Sequence, residues 1–197
     1  FQEFKEMKYI RGEVNYEKYK EKGFSTPTGK VELYSTKLEE WGYDPLPTYN
    51  EPHESPISKP EMTDEYPFIL VTGARSPGFF HTENRQLPWL REQHPEPFIE
   101  IHPDTAAKLS IRNGDWVVIE SPRGKVRQKA KLFEGIHPQV VGAQHAWWYP
   151  EKKKNNHGWS ESNINILTDN SYEAGDPAMG ATSVRTLLCN IYKEPLA

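Results

Sequence analysis

Residues 125–132, Lys-Val-Arg-Gln-Lys-Ala-Lys-Leu, alternate without a break, and they limit the possible folds more than any other stretch of the chain. In a strand, successive side chains point to opposite faces. Val126, Gln128, Ala130 and Leu132 therefore share one face, while Lys125, Arg127, Lys129 and Lys131 share the other. A helix would scatter the four cations around its circumference. The segment predicts a strand with one dry and one wet face. Ser121-Pro-Arg-Gly124 just ahead of it reads as a reversal, and the apolar run DWVVIES before that supplies the partner strand. The minimum structure is a hairpin that needs a second layer to cover its dry side.

Further short apolar runs supply that layer. PFILVTG, PFIEIHP, QVVGAQH and TSVRTLLCNIYK all have strand length and β-branched content. Between them lie only short helices. Pro88 opens one over PWLREQ, and Pro103 precedes another from Asp104 to Leu109. Asn113-Gly114 marks a turn. Many short strands, tight turns and brief helices predict a mainly β chain closed into a barrel, not a doubly wound parallel sheet.

Residues 1–66 read differently. Ser35 caps a short helix over TKLEEW that Gly42 ends. The stretch from Asp44 to Pro67 is then rich in proline and shows little periodicity, so 1–66 is expected to be an extended connecting arm and 67–197 the barrel. With 36% hydrophobic residues, 17 Pro and 13 Gly, much of the chain must be turn or irregular. The net charge of −4 is concentrated in the arm and leaves the barrel near neutral. That balance argues against nucleic acid or an anionic membrane as partner. The cationic face of residues 125–131, with Arg123, then reads as solvated and as protection of a sheet edge. The run Lys152, Lys153, Lys154 reads the same way.

One cysteine, Cys189, leaves no disulfide framework, cysteine zinc site or iron–sulfur cluster within these residues. Its alternation with Leu187 and Ile191 predicts an inward-facing side chain. No apolar run reaches the roughly 18 residues of a membrane helix, so no direct membrane contact is expected. The charged opening FQEFKEMKYIRGE has no apolar signal region, and the chain reads as a piece of a longer polypeptide.

Several segments together resemble the molybdopterin oxidoreductase (DMSO reductase) family. They are Gly23-Phe-Ser-Thr-Pro-Thr-Gly-Lys-Val-Glu-Leu-Tyr-Ser35, Gly42-Tyr-Asp-Pro-Leu-Pro47, Val71-Thr-Gly-Ala-Arg75, His81-Thr82, Glu100-Ile-His-Pro-Asp104, AKLSIRNGD at 107–115, Ser121-Pro-Arg-Gly124 and Asn163-Ile-Asn-Ile-Leu-Thr168. Each is weak alone, but they follow the family's order and cover nearly the whole chain. Polysulfide or thiosulfate reductase, formate dehydrogenase and acetylene hydratase are the members it is most similar to. The resemblance implies a double-psi β-barrel, the last domain of a catalytic subunit. It implies bis-(molybdopterin guanine dinucleotide) carrying molybdenum or tungsten as cofactor, with the metal's protein ligand in another domain. Implied partners are the upstream domains of the same subunit and an iron–sulfur electron-transfer subunit, in a prokaryotic cytoplasm or periplasm. The residues here would then bind cofactor without turning over substrate. A stand-alone barrel that binds a protein or peptide is the competing reading. No motif for a hydrolase is present.

Such a cofactor presents phosphates, hydroxyls and polar base edges, which need N–H donors, guanidinium forks and amides. The loop after the first strand offers Thr72, Gly73, Arg75, Ser76, His81, Thr82 and Arg85. It is otherwise a solvated loop. Asn163 and Asn165 would share one face of an extended NIN and read a base or pterin edge. His145 and Trp147, in the aromatic run Ala146-Trp-Trp-Tyr149, either stack on the cofactor or anchor the domain.

Overall fold

The computed structural model describes residues 1–9, 12–154 and 156–195, the side chain of Ala74 excepted. The chain divides into two compact units, Phe1–Tyr49 and Asn50–Ala197.

The first unit holds three short helices, α1 (Gln2–Met7), α2 (Tyr19–Lys22) and α3 (Thr36–Glu40). Ser35 caps α3 by accepting from the Leu38 N–H at 3.3 Å, as its position predicts. The Tyr19 and Phe24 rings stack at 4.6 Å, and the Phe24 N–H donates to the Gly29 carbonyl across the GFSTPTG loop. None of the described residues of this unit is buried.

The second unit is a closed six-stranded barrel in the order β1-β5-β2-β4-β3-β6. The strands are β1 (Phe68–Ala74), β2 (Phe98–Ile101), β3 (Trp116–Ser121), β4 (Gly124–Leu132), β5 (Val140–Gln144) and β6 (Leu187–Lys193). Parallel pairs β1/β5 and β2/β4 sit among antiparallel neighbours, which gives the double-psi barrel. Three helices decorate it: α4 (Pro88–Gln93), α5 (Pro103–Lys108) and α6 (Trp159–Ser162).

The predicted hairpin is β3/β4, closed by the Ser121↔Gly124 pair. On β4, Val126, Gln128 and Ala130 are buried, and the four cations face outward. The core gathers Leu70, Ile99, Ile101, Val117, Ile119, Val141, Leu187 and Ile191 around the barrel axis, with Cys189 fully buried among them. Gln128 is a polar member of this interior. Its amide donates to the carbonyls of Gln144 (2.7 Å) and Ser162 (3.1 Å), and its oxygen accepts from the Gln144 N–H (3.0 Å). One side chain thus satisfies backbone groups at the end of β5 and at the end of α6.

Two expectations change. The compact unit starts at Asn50, not at Pro67. Glu54 explains why: it is 6% exposed, holds Arg123 through two bonds of 2.7 and 2.9 Å, and accepts from the Leu188 N–H on β6. Asn163-Ile-Asn is also not extended. Ile164–Ile166 form a 3-10 turn that Asn163 caps by accepting from the Asn165 N–H at 3.1 Å. A short polar residue ahead of a turn favours this local bond over an extended chain.

Candidate functional site

The ends of β1 and β5 carry two long loops, 75–93 and 145–151, and four contacts tie them together. Arg85 Nη2 donates to the His145 carbonyl at 3.2 Å. His81 Nδ1 and His145 Nε2 meet at 3.1 Å, and Trp148 Nε1 donates to the Thr82 carbonyl at 2.7 Å. Arg91 pairs with Glu151 at 2.9 Å. Between the loops lies a small cleft lined by Arg75, Ser76, Phe79, His81, Arg85, Gln144 and His145. Five of the residues singled out in the sequence meet there.

Phe79, Trp147 and Tyr149 form an aromatic cluster of their own, with Leu90 packed against it. Arg85 inserts into it, its guanidinium 4.7 Å from the Phe79 ring and 4.6 Å from the Trp147 ring. Arg91 lies over Trp147 on the next level, at 5.2 Å. Burial, and then the Arg91 charge, bring the Arg85 pKa down to about 10. Burial likewise pushes the Tyr149 phenol up to about 12, so its hydroxyl stays protonated beside Ser162 Oγ at 2.8 Å.

The other residues fall into place unevenly. Arg75 and Gly73 are exposed at the end of β1. The Ser76 hydroxyl accepts from the Gly78 N–H at 3.3 Å and keeps its own proton to donate. Thr72 instead fastens the chain: its Oγ1 and its N–H both donate to the Val184 carbonyl, at 2.9 and 3.2 Å. Thr82 contributes its carbonyl to Trp148, and its side chain is exposed. Trp147 is fully buried and meets the cleft through Arg85 and the Phe79 ring, 5.7 Å away. Asn165 lines a separate groove of about 540 Å³ with Arg123, Ile166, Thr168, Asn170, Thr182 and Val184.

Sequence reasoning missed Gln144 and Phe79. Both were counted as apolar-strand or loop residues, yet Gln144 Oε1 is buried with no hydrogen-bond donor. The cationic face of β4 is neutralised locally. Lys125 pairs with Glu120, Arg127 with Glu194 and Glu161, Lys131 with Glu100, and Lys129 lies 5.3 Å over the Trp116 ring.

The fold is a closed double-psi barrel whose strand-end loops bring arginines, a histidine pair and a serine together in one polar cleft. The chain belongs to the "Molydopterin dinucleotide binding domain" family, whose model matches residues 68–187. It is 44% identical over 178 residues to the dopamine dehydroxylase of Eggerthella lenta, an overlap of 87% of this chain and 17% of that protein. It is 36% identical over 178 residues to the acetylene hydratase of Syntrophotalea acetylenica, covering 87% of this chain and 24% of that one. The solved acetylene hydratase from Pelobacter acetylenicus superposes with a TM-score of 0.83 at 33% identity, over 94% of this chain and 26% of that structure. The chain thus spans 17% to 26% of these relatives, and the family it belongs to binds a molybdopterin-type cofactor.

Proposed function

We propose that this chain is the C-terminal domain of a molybdenum or tungsten oxidoreductase and clasps bis-(molybdopterin guanine dinucleotide) with the loops after β1 and β5. The convergence of Arg75, Ser76, His81, Arg85 and His145 on one cleft carries this reading. Unfilled donors fit the cofactor's chemistry: two nitrogens of the buried Arg85 have no acceptor, and exposed Arg75 offers a planar fork for phosphate. A Cβ built on Gly73 would meet nothing within 4 Å, so a ligand can approach that backbone. His81 and His145, in contact at 3.1 Å, suit a role in hydrogen-bonding a pterin edge. Asn165, in its groove with Thr168 and Asn170, is suited to a second polar part of the ligand.

When bound, the cofactor supplies the redox-active metal through its sulfurs; the residues of this chain bind and orient it. The partners that follow are the upstream domains of the same subunit and an iron–sulfur electron-transfer subunit. The 197-residue chain alone is expected to turn over neither formate, thiosulfate, polysulfide nor acetylene. Stoichiometric molybdenum or tungsten together with activity in the purified chain would overturn that.

The decisive experiment changes Arg75 in the intact parent enzyme. Arg75→Ala is expected to lower cofactor content per protein about ten- to a hundredfold in affinity terms, the worth of a charge-assisted contact. Arg75→Lys should recover part of it, keeping charge without the fork. Lys129→Ala on the outer face of β4 is the control and should change little. Equal occupancy in Arg75→Ala and wild type, at equal melting temperature, would remove Arg75 from the site.

A further inference from the structure

The chain has one Asn-Gly pair, Asn113-Gly114, and it carries chemistry that the cleft does not use. Glycine has no side chain to shield its amide nitrogen, so in an unfolded chain that nitrogen readily attacks the side-chain amide carbon of the asparagine before it. Hydroxide first takes the Gly114 amide proton. The nitrogen then bonds to Asn113 Cγ, the Cγ–Nδ2 bond breaks, and Nδ2 leaves as ammonia with a proton from water. Water opens the resulting succinimide ring at one of its two carbonyls. Cleavage at Cγ leaves aspartate, and cleavage at the main-chain carbonyl leaves isoaspartate. The sum is one water consumed and one ammonia released, with nothing oxidised or reduced.

The fold holds both reacting groups. The Gly114 N–H donates to the Ala130 carbonyl at 2.7 Å, so the proton that must leave is covered. Asn113 Oδ1 accepts from the Leu132 N–H at 3.0 Å, which fixes the side-chain amide. Asp115 closes the turn around them. Its N–H donates to the Arg112 carbonyl at 3.0 Å, and its Oδ2 accepts from the Arg112 N–H and from Lys193 Nζ, both at 2.8 Å. Yet residues 112–114 are exposed, and β4 is paired at Ala130 and Leu132 with β2 on its other edge. The turn can therefore lift from β4 while β4 stays in the barrel, an opening far smaller than global unfolding.

We propose that Asn113 is a deamidation site locked by its own turn and converted only when residues 112–115 open from β4. Isoaspartate routes the main chain through the former side-chain carbon and adds one methylene to the backbone, so the bonds to Ala130 and Leu132 do not both re-form. The reaction thus makes a transient opening permanent. It also sets a new carboxylate two residues from Asp115, where it competes for Lys193.

Mass spectrometry of the peptide that holds residue 113 reads the reaction, with the 197-residue chain incubated at mildly alkaline pH with and without guanidinium chloride. Hydrogen exchange at the Gly114 N–H, under the same native conditions, reads the opening, because exchange and ring closure both begin with loss of that proton. The native chain should deamidate at least about tenfold more slowly than the denatured one, and by the factor that folding slows exchange at Gly114, within about threefold. Asp115→Ala removes the acceptor that closes the turn. It should deamidate faster than wild type when folded and at the wild-type rate when denatured. Equal rates in native and denatured wild type overturn the proposal, as does a native rate that departs from the exchange factor by more than that margin in either direction. So does a folded Asp115→Ala chain that deamidates no faster than wild type. If Asp115→Ala does not fold, the wild-type comparison still decides.

Discussion

Side chains near the cleft divide into those that the proposed reading turns toward a ligand and those that hold the scaffold, and substitution should separate them. Gly73 is exposed, and an added Cβ meets no protein atom. Gly73→Ala should therefore leave the unfolding free energy in urea within about 0.5 kcal/mol of wild type, while cofactor content in the parent enzyme drops. Unchanged content would mean that no ligand approaches this backbone. Glu54 should behave in the opposite way. It is a buried carboxylate bonded to both Nη atoms of Arg123 and to the Leu188 N–H, so Glu54→Ala takes the acceptor from three N–H donors. The expected loss is on the order of 3 kcal/mol, at the lower end for broken buried pairs because Arg123 keeps Asp169 at 3.8 Å. A change under about 1 kcal/mol in chemical unfolding would show that the pair contributes little. In the sequence, Arg75 and Arg85 look alike, as two loop arginines ten residues apart. Only the folded chain shows that one is exposed and the other stacked between rings, because that difference is set by Trp147 on a distant segment.

Elements were legible where pattern and punctuation agreed. The alternation of 125–132 with its Ser121–Gly124 reversal gave β4 and its hairpin, and prolines at helix starts gave α4 and α5. Asn163-Ile-Asn-Ile misled because four alternating residues satisfy a strand period and a capped 3-10 turn equally well. The cap bond, invisible to periodicity, decides between them. The Glu54 segment misled for another reason. A proline-rich stretch without periodicity can still be pinned by one buried side chain, and its partner lies 69 residues away. The Asn113-Gly114 turn offers a local test. Gly114 sits at φ +86°, and nothing crowds its Cα, so Gly114→Ala should cost about 1 kcal/mol from backbone strain alone. A neutral result in thermal unfolding would mean that the turn relaxes readily.

At the scale of the whole molecule, acid sensitivity follows from several carboxyls held below their usual range. Hydrogen bonds from Lys193 and the Arg112 N–H do this for Asp115, Lys125 for Glu120, Lys152 and then Arg127 for Glu161, and the Ser171 N–H for Asp169. A carboxyl whose pKa is lowered by folding stabilises the native state above its ordinary value and loses that contribution as pH falls through the lowered one. The melting temperature should thus hold steady near neutrality and fall below the ordinary carboxyl values of 3.8 and 4.5. A flat profile down to pH 3 would refute it. A truncation beginning at Pro67 should likewise melt well below one beginning at Asn50, since only the longer one carries Glu54.

The two loops that make the cleft follow β1 and β5, and β1 is hydrogen-bonded on its other side to β6, the last strand of the barrel. During synthesis the first strand leaves the ribosome more than a hundred residues before its neighbour β6 does. Contacts so distant in sequence form late. Arg85 cannot find Trp147 or the His145 carbonyl until the barrel has closed, so the cleft comes into being only once β6 has been made. A nascent chain stalled short of Leu187 is therefore expected to capture no cofactor.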